Sequence, residues 1–154
     1  MNKYMKEAIT EAKINEDTNF KNGGPFGAVI VKNNDIIATS HNTVIEDSDP
    51  TAHAEINVIR KAAQILKTHD LSGCTLYTTC FPCPMCLSAI VWANIKEVYY
   101  GNTKEDAEDI GFRDNQIYEL INNLNSSKTI NFTQIDREET IKTFNSFKNN
   151  SNLY

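Results

Sequence analysis

No apolar run in these 154 residues approaches the roughly 18–20 needed to cross a bilayer, so nothing reads as a transmembrane helix. A secretory leader is not expected either. Met1 to Glu7 leads into a charged amphipathic helix instead of an apolar core with a cleavage site. There is no disulfide framework. Of the four cysteines, three crowd between positions 80 and 86, and a reducing compartment would keep them as thiols. A cytoplasmic protein is the expectation. The chain also lacks any cluster of Lys and Arg, and its net charge is -5. Nucleic-acid binders usually carry a basic face, so no nucleic-acid partner is expected and a small neutral substrate is favoured. No internal repeat is visible. The composition, 40% hydrophobic and 23% charged, is that of a globular protein, and the length fits one domain over residues 1–154 with a single core.

The pattern of apolar residues gives a coarse order of elements. Met5, Ala8, Ile9 and Ala12 recur at helical spacing, which predicts a helix over 2–18. Asn22 to Pro25 breaks it. The continuous apolar run 26–31 reads as a buried strand, and Asn33 to Asp35 as a turn into a second strand over 36–40. A polar loop over 41–50 precedes a long helix over 52–67, striped by Val58, Ala62 and Ile65. Strands are expected at 75–79 and 97–100, flanking a helix at 83–94 with Pro84 near its start. A helical turn at 107–110, a helix at 115–124, an alternating strand at 130–135 and a helix at 137–149 follow, before a polar tail ending in Tyr154. Strands alternating with helices after an initial hairpin predict a mixed α/β sheet of about five strands between helices.

Chemistry concentrates in two short stretches. His53 and Glu55 stand two apart, so on a helix their side chains diverge by about 200° and would not share one ligand position. Cys83 and Cys86 stand three apart, neighbours on one helical face. One imidazole and two thiols select a borderline-soft ion, usually zinc. Both stretches fall where helices begin, and there the unpaired N–H groups stabilise thiolates. Three protein ligands leave a fourth position for water, the pattern of a catalytic zinc site. Glu55 then suits a general base and acid, taking a proton from that water and passing it to a ring nitrogen and to the leaving amine. H-x-E followed by P-C-x-x-C is the signature of zinc deaminases acting on nucleobases.

Duller readings exist for each part. Cys83 and Cys86 could form a redox pair, or Cys80 could close a four-ligand structural site. The second is disfavoured because Cys80 ends a strand ahead of the helix and because Glu55 would be left without a task. Cys74 opens a strand and suits a small core residue.

The stretches TAHAE at 51–55 and CFPCPMC at 80–86 resemble the cytidine deaminase-like superfamily. GGPFGAVIV at 23–31, Asn42, Asp49 to Thr51, Trp92-Ala93 and GFRD at 111–114, followed by Ile117-Tyr118, narrow the resemblance to the small zinc-dependent guanine deaminases of bacteria. It runs nearly end to end. It implies a three-layer α/β/α sandwich, Zn2+ as cofactor, and hydrolysis of guanine to xanthine and ammonia. It carries over His53, Cys83 and Cys86 as metal ligands, with Glu55 and Asp114 as catalytic groups. Phe26, Asn42, Ala54, Trp92 and Tyr154 become substrate-binding residues. It also implies a homodimer whose C-terminal segment is exchanged, placing Tyr154 over the partner's substrate. One departure is visible. Those enzymes usually have an acidic residue before the Pro-Cys pair, where this chain has Phe81; that alters local charge and pocket shape but removes no ligand. Without the resemblance, Asp114 also reads as a helix cap, Asn42 as a turn residue, Trp92 as core and Tyr154 as a frayed end. Cytosine deaminase, guanosine deaminase, tRNA adenosine deaminase and a purely structural zinc module are the alternatives.

Overall fold

The computed structural model describes residues 1–123 and 130–148. Its sheet has the strands β1 (Gly27–Lys32), β2 (Asp35–His41), β3 (Cys74–Cys80) and β4 (Glu97–Asn102). The helices are α1 (Lys3–Asp17), α2 (Ala54–Leu66), α3 (Pro84–Trp92), α4 (Lys104–Asp109), α5 (Asp114–Asn122) and α6 (Arg137–Phe147). Spatial order is β2-β1-β3-β4. β1 runs antiparallel to β2 and β3, and β3 runs parallel to β4.

The layering follows from β1. Successive side chains of a strand point to opposite faces, and every residue of β1 but the last is buried. Ala28 and Ile30 pack with Ala54, Val58 and Ala62 of α2 and Ile90 of α3. Val29 and Val31 pack on the other face with Tyr4 and Ala8 of α1 and with Tyr77. A strand covered on both sides needs apolar residues at every position, which is why 26–31 reads as a continuous run. The result is the expected α/β/α sandwich, with α1 on one face and α2 and α3 on the other. Gly27 sets how closely α1 approaches. A Cβ there would lie 2.0 Å from the Ala8 carbonyl oxygen, so any other residue would push the helix off the sheet.

The β1–β2 turn falls on Asn33 and Asn34, with φ of 51° and 69°. Asparagine tolerates this left-handed region, and two such residues make a tight hairpin.

The sheet has four strands among the described residues, one fewer than the composition of the pattern suggested. Residues 131–136 form no ladder, and Ile130, Phe132 and Ile135 are 48%, 69% and 71% exposed. Their alternation is that of a strand, but a strand also requires a free backbone edge beside it, and this segment pairs with none of the described strands. No described helix is long and apolar enough to cross a membrane.

Candidate metal centre and active site

β1 runs antiparallel to its neighbours, so its start and the ends of β2 and β3 share one edge of the sheet. Phe26 precedes β1, Asn42 follows β2, and α3 begins just after β3. The site is assembled along that edge.

His53 and Cys83 are the N-cap residues of α2 and α3, both in extended backbone conformation. An N-cap side chain ordinarily accepts a hydrogen bond from its own helix. Neither does so here, which leaves imidazole and thiol for another use. The sequence pattern placed both residues inside the first helical turn; they stand one position before it. Cys86 lies in the first turn of α3 and is fully buried.

The ligand atoms of His53, Cys83 and Cys86 all lie within 4.8 Å of one another. The Nδ1 atom of His53 is 3.6 Å from each sulfur. Zinc bonds of about 2.0–2.1 Å to nitrogen and about 2.3 Å to sulfur, at a tetrahedral angle, would separate nitrogen from sulfur by about 3.6 Å. The donor set therefore fits zinc in chemistry and spacing. Cys80 stands apart from it among the described residues: its thiol points to the Thr103 carbonyl oxygen at 3.5 Å.

The two thiols form a coupled pair. A hydrogen bond from Cys86 holds the Cys83 pKa down at about 4 against the cost of burial, with His53 assisting. The same bond pushes Cys86 up, reinforced by burial and by the Glu55 carboxylate. His53 is shifted upward, chiefly by its hydrogen bond to Cys83. A divalent ion bound by both sulfurs would displace the remaining proton.

Glu55 is 5% exposed. Its Oε1 accepts a hydrogen bond from the Thr78 hydroxyl at 2.7 Å, and its Oε2 is 3.5 Å from the Cys86 sulfur. Burial pushes its pKa up, opposed by the Thr78 bond. A carboxyl group raised in this way holds a proton more readily than a free one and can both take and return it.

A cleft in front of the cluster is lined by Phe26, Asn42, His53, Glu55, Cys80, Phe81, Cys83, Phe112 and Asp114. Asp114 is the first residue of α5, and burial, with the nearby Cys83 charge, raises its pKa. Asn42 is 3% exposed. Its Oδ1 accepts from the backbone N–H groups of Gly24 and Val44, both at 3.2 Å. Those two donors fix which end of the amide is oxygen and leave the NH2 end as a donor for the cleft. Phe26 and Phe112 meet edge to face, with centroids 4.7 Å apart. Phe81 packs its ring edge to face with Tyr100 and lies beneath the Lys104 ammonium, so the position that departs from the family pattern forms an apolar wall. A second, more apolar cavity of about 580 Å³ adjoins the cleft and shares Asn42, His53 and Phe112 with it.

One substrate-binding candidate falls elsewhere. Trp92 closes α3 and is 67% exposed; it is not among the residues lining the cleft. Tyr154 lies outside the described residues. Ala54 has its methyl in the core beneath the sheet, so only its backbone, at the helix start, is available to a ligand. Cys80 and Phe112 line the cleft without having been assigned to it from the sequence. Phe112 sits within the GFRD stretch, and its neighbour Asp114 was the only signal available.

Three side chains that would hold a zinc ion, beside a buried carboxylate and an open cleft, are the arrangement of zinc-dependent hydrolases. Within that class the relatives are specific. Residues 1–102 match the family described as cytidine and deoxycytidylate deaminase zinc-binding region, and the chain belongs to this family of hydrolytic deaminases. It is 46% identical to a guanine deaminase of Bacillus subtilis over 149 residues, 97% of this chain and 94% of the relative. The crystal structure of a Bacillus subtilis guanine deaminase superposes with a TM-score of 0.90 at 44% identity, covering 100% of this chain and 98% of that one. A tRNA-specific adenosine deaminase of the same organism is 47% identical over 98 residues, but that spans 64% of this chain and 59% of the relative.

Proposed function

We propose that this protein hydrolyses guanine to xanthine and ammonia. The reading is carried by the extent of the similarity. A match covering 97% of the chain necessarily includes Phe112 and Asp114, which lie beyond the shared zinc-binding region at 1–102 and line the cleft.

His53, Cys83 and Cys86 hold the zinc, which when bound acts as a Lewis acid and acidifies a water. Glu55 takes a proton from the attacking water, delivers it to the adjacent ring nitrogen, and later transfers a proton to the departing amine. Thr78 keeps the carboxylate aimed during these transfers. The Asn42 amide donates to an acceptor on the base, and the Asp114 carboxylate accepts from a ring N–H. A purine amide edge supplies both kinds of partner, and a base lacking one leaves a buried group unpaired, which costs affinity steeply. Phe26 and Phe112 bound the ring, and the Ala54 backbone N–H closes the site beneath it. The balance is one guanine and one water in, one xanthine and one ammonia out.

The active form is a homodimer. Leu87, Val91 and Trp92 on α3 are exposed, and apolar residues left open to solvent on one helix favour a second copy. The C-terminal segment, ending in Tyr154, closes the partner's site, and the apolar cavity beside the cleft suits such a cover. The chain acts as one domain, and its substrate is a free base, not a nucleic acid.

The test is a substrate panel. Purified zinc-loaded protein is incubated with guanine, guanosine, cytosine and adenine, and ammonia is assayed. Guanine is expected to react by far the fastest; no release from guanine refutes the assignment. Light scattering with and without residues 149–154 tests the assembly, and a raised guanine KM in the truncated protein tests the cover.

A further inference from the structure

Asn15 is a polar residue in a place that asks for an apolar one. It lies on the face of α1 that buries Tyr4 and Ala8, and it is fully buried. Its amide donates to the Gly24 carbonyl oxygen at 2.8 Å and to the Asn42 carbonyl oxygen at 2.7 Å. Its own Oδ1 has no partner, the single buried side-chain polar atom among the described residues in that position. An unpaired buried acceptor destabilises a fold. A hydrophobic residue would avoid that cost but take the Asn15 donor away from the Asn42 carbonyl and leave Gly24 with the Phe26 N–H alone.

We propose that Asn15 positions Asn42 for substrate. The proposal rests on the reading of Asn42 given above. Three residues close a ring of hydrogen bonds. Asn15 holds the backbone carbonyls of Gly24 and Asn42, while the Gly24 N–H holds the Asn42 side-chain oxygen. Asn15 thus fixes two loops that are 9 and 27 residues away in the chain. Gly23 lets the two loops approach closely: a Cβ there would lie 2.3 Å from the Asn42 carbonyl oxygen. With its oxygen and its backbone both held, the Asn42 side chain has one donor direction, and that direction is set from α1. Asn15 does not line the cleft. It acts through Asn42, and its effect belongs to binding of the base.

The experiment is a double-mutant cycle on the full-length, zinc-loaded protein with guanine as substrate. Asn15→Ala is expected to raise KM roughly tenfold, as both hydrogen bonds that hold the two loops are lost, with zinc content unchanged. Asn15→Ser retains one donor and should fall between Ala and wild type; it carries the same test if the Ala variant does not fold. In an Asn42→Ala background, Asn15→Ala should leave KM where Asn42→Ala has already put it. Leu71→Ala, a core change away from these loops, serves as a stability control that lowers Tm and leaves KM alone. If Asn15→Ala lowers Tm but not guanine affinity, as the control does, the proposal is overturned. It is also overturned if the KM increase persists in full without Asn42. If Asn42→Ala itself leaves KM unchanged, the reading of Asn42 fails and this inference fails with it.

Discussion

Thr78→Val isolates the proton shuttle from the metal. Thr78 is fully buried in β3, and its hydroxyl reaches Glu55 Oε1 at 2.7 Å. Valine has nearly the same shape, so no cavity opens, but the hydroxyl is lost. A hydrogen bond to a charged group contributes about 1.5–3 kcal/mol. If the bond acts fully in the transition state, its loss lowers kcat roughly 10- to 150-fold, since about 1.4 kcal/mol is a factor of ten. Thr78 is not among the residues lining the cleft and holds no metal ligand, so guanine KM and zinc content should both stay near wild type. The assay is steady-state ammonia release beside metal analysis of the same preparation. In a Glu55→Gln background the same substitution should change kcat by far less, because the residue it aims has lost its charge. Wild-type turnover in a Thr78→Val protein of full zinc content contradicts the reasoning.

Other outcomes follow from the same geometry. Cys80→Ser should keep stoichiometric zinc and most turnover, since the Cys80 thiol faces the Thr103 carbonyl instead of the metal cluster; zinc loss, read by metal analysis, would favour a closed four-ligand site. Leu71→Ala should cost about 2–5 kcal/mol in urea unfolding, because Leu71 is fully buried in the core cluster that includes Ala62, Leu76 and Ile90; a loss under 1 kcal/mol contradicts that packing. Asp49 accepts from the Thr51 hydroxyl and backbone N–H, which hold its pKa below the ordinary value of 3.8. Its stabilising effect is therefore present above that value and lost as pH falls through the depressed one. The Tm gap between wild type and Asp49→Asn should narrow below about pH 4, and a gap constant down to pH 2 contradicts it.

Much of the molecule was legible because its constraints are local. The run at 26–31 is apolar at every position because β1 is covered on both faces. The two helix starts carry the metal donors because a cap position is where an extended residue can aim its side chain away from the helix. The misses are cases where a local pattern needs a distant partner. The alternation at 130–135 says which side chains would share a face; it cannot say whether a sheet edge lies alongside. Trp92 ends an apolar helix, and only the packing determines that its ring is exposed. Phe112 lies in a loop, where no periodicity reports direction. Asn15 offered a signal, a polar residue on the Tyr4–Ala8 face, but its meaning depends on loops that the helix meets only in the folded chain.

In the proposed chemistry three side chains hold a zinc ion and Glu55 moves the protons. Zinc content and guanine turnover of the Glu55→Gln protein test it together. One zinc per chain with turnover reduced by several orders of magnitude is the expected result, since general acid–base steps alone contribute about 10²–10⁴-fold. Full turnover, or loss of the metal with the carboxylate, would contradict it.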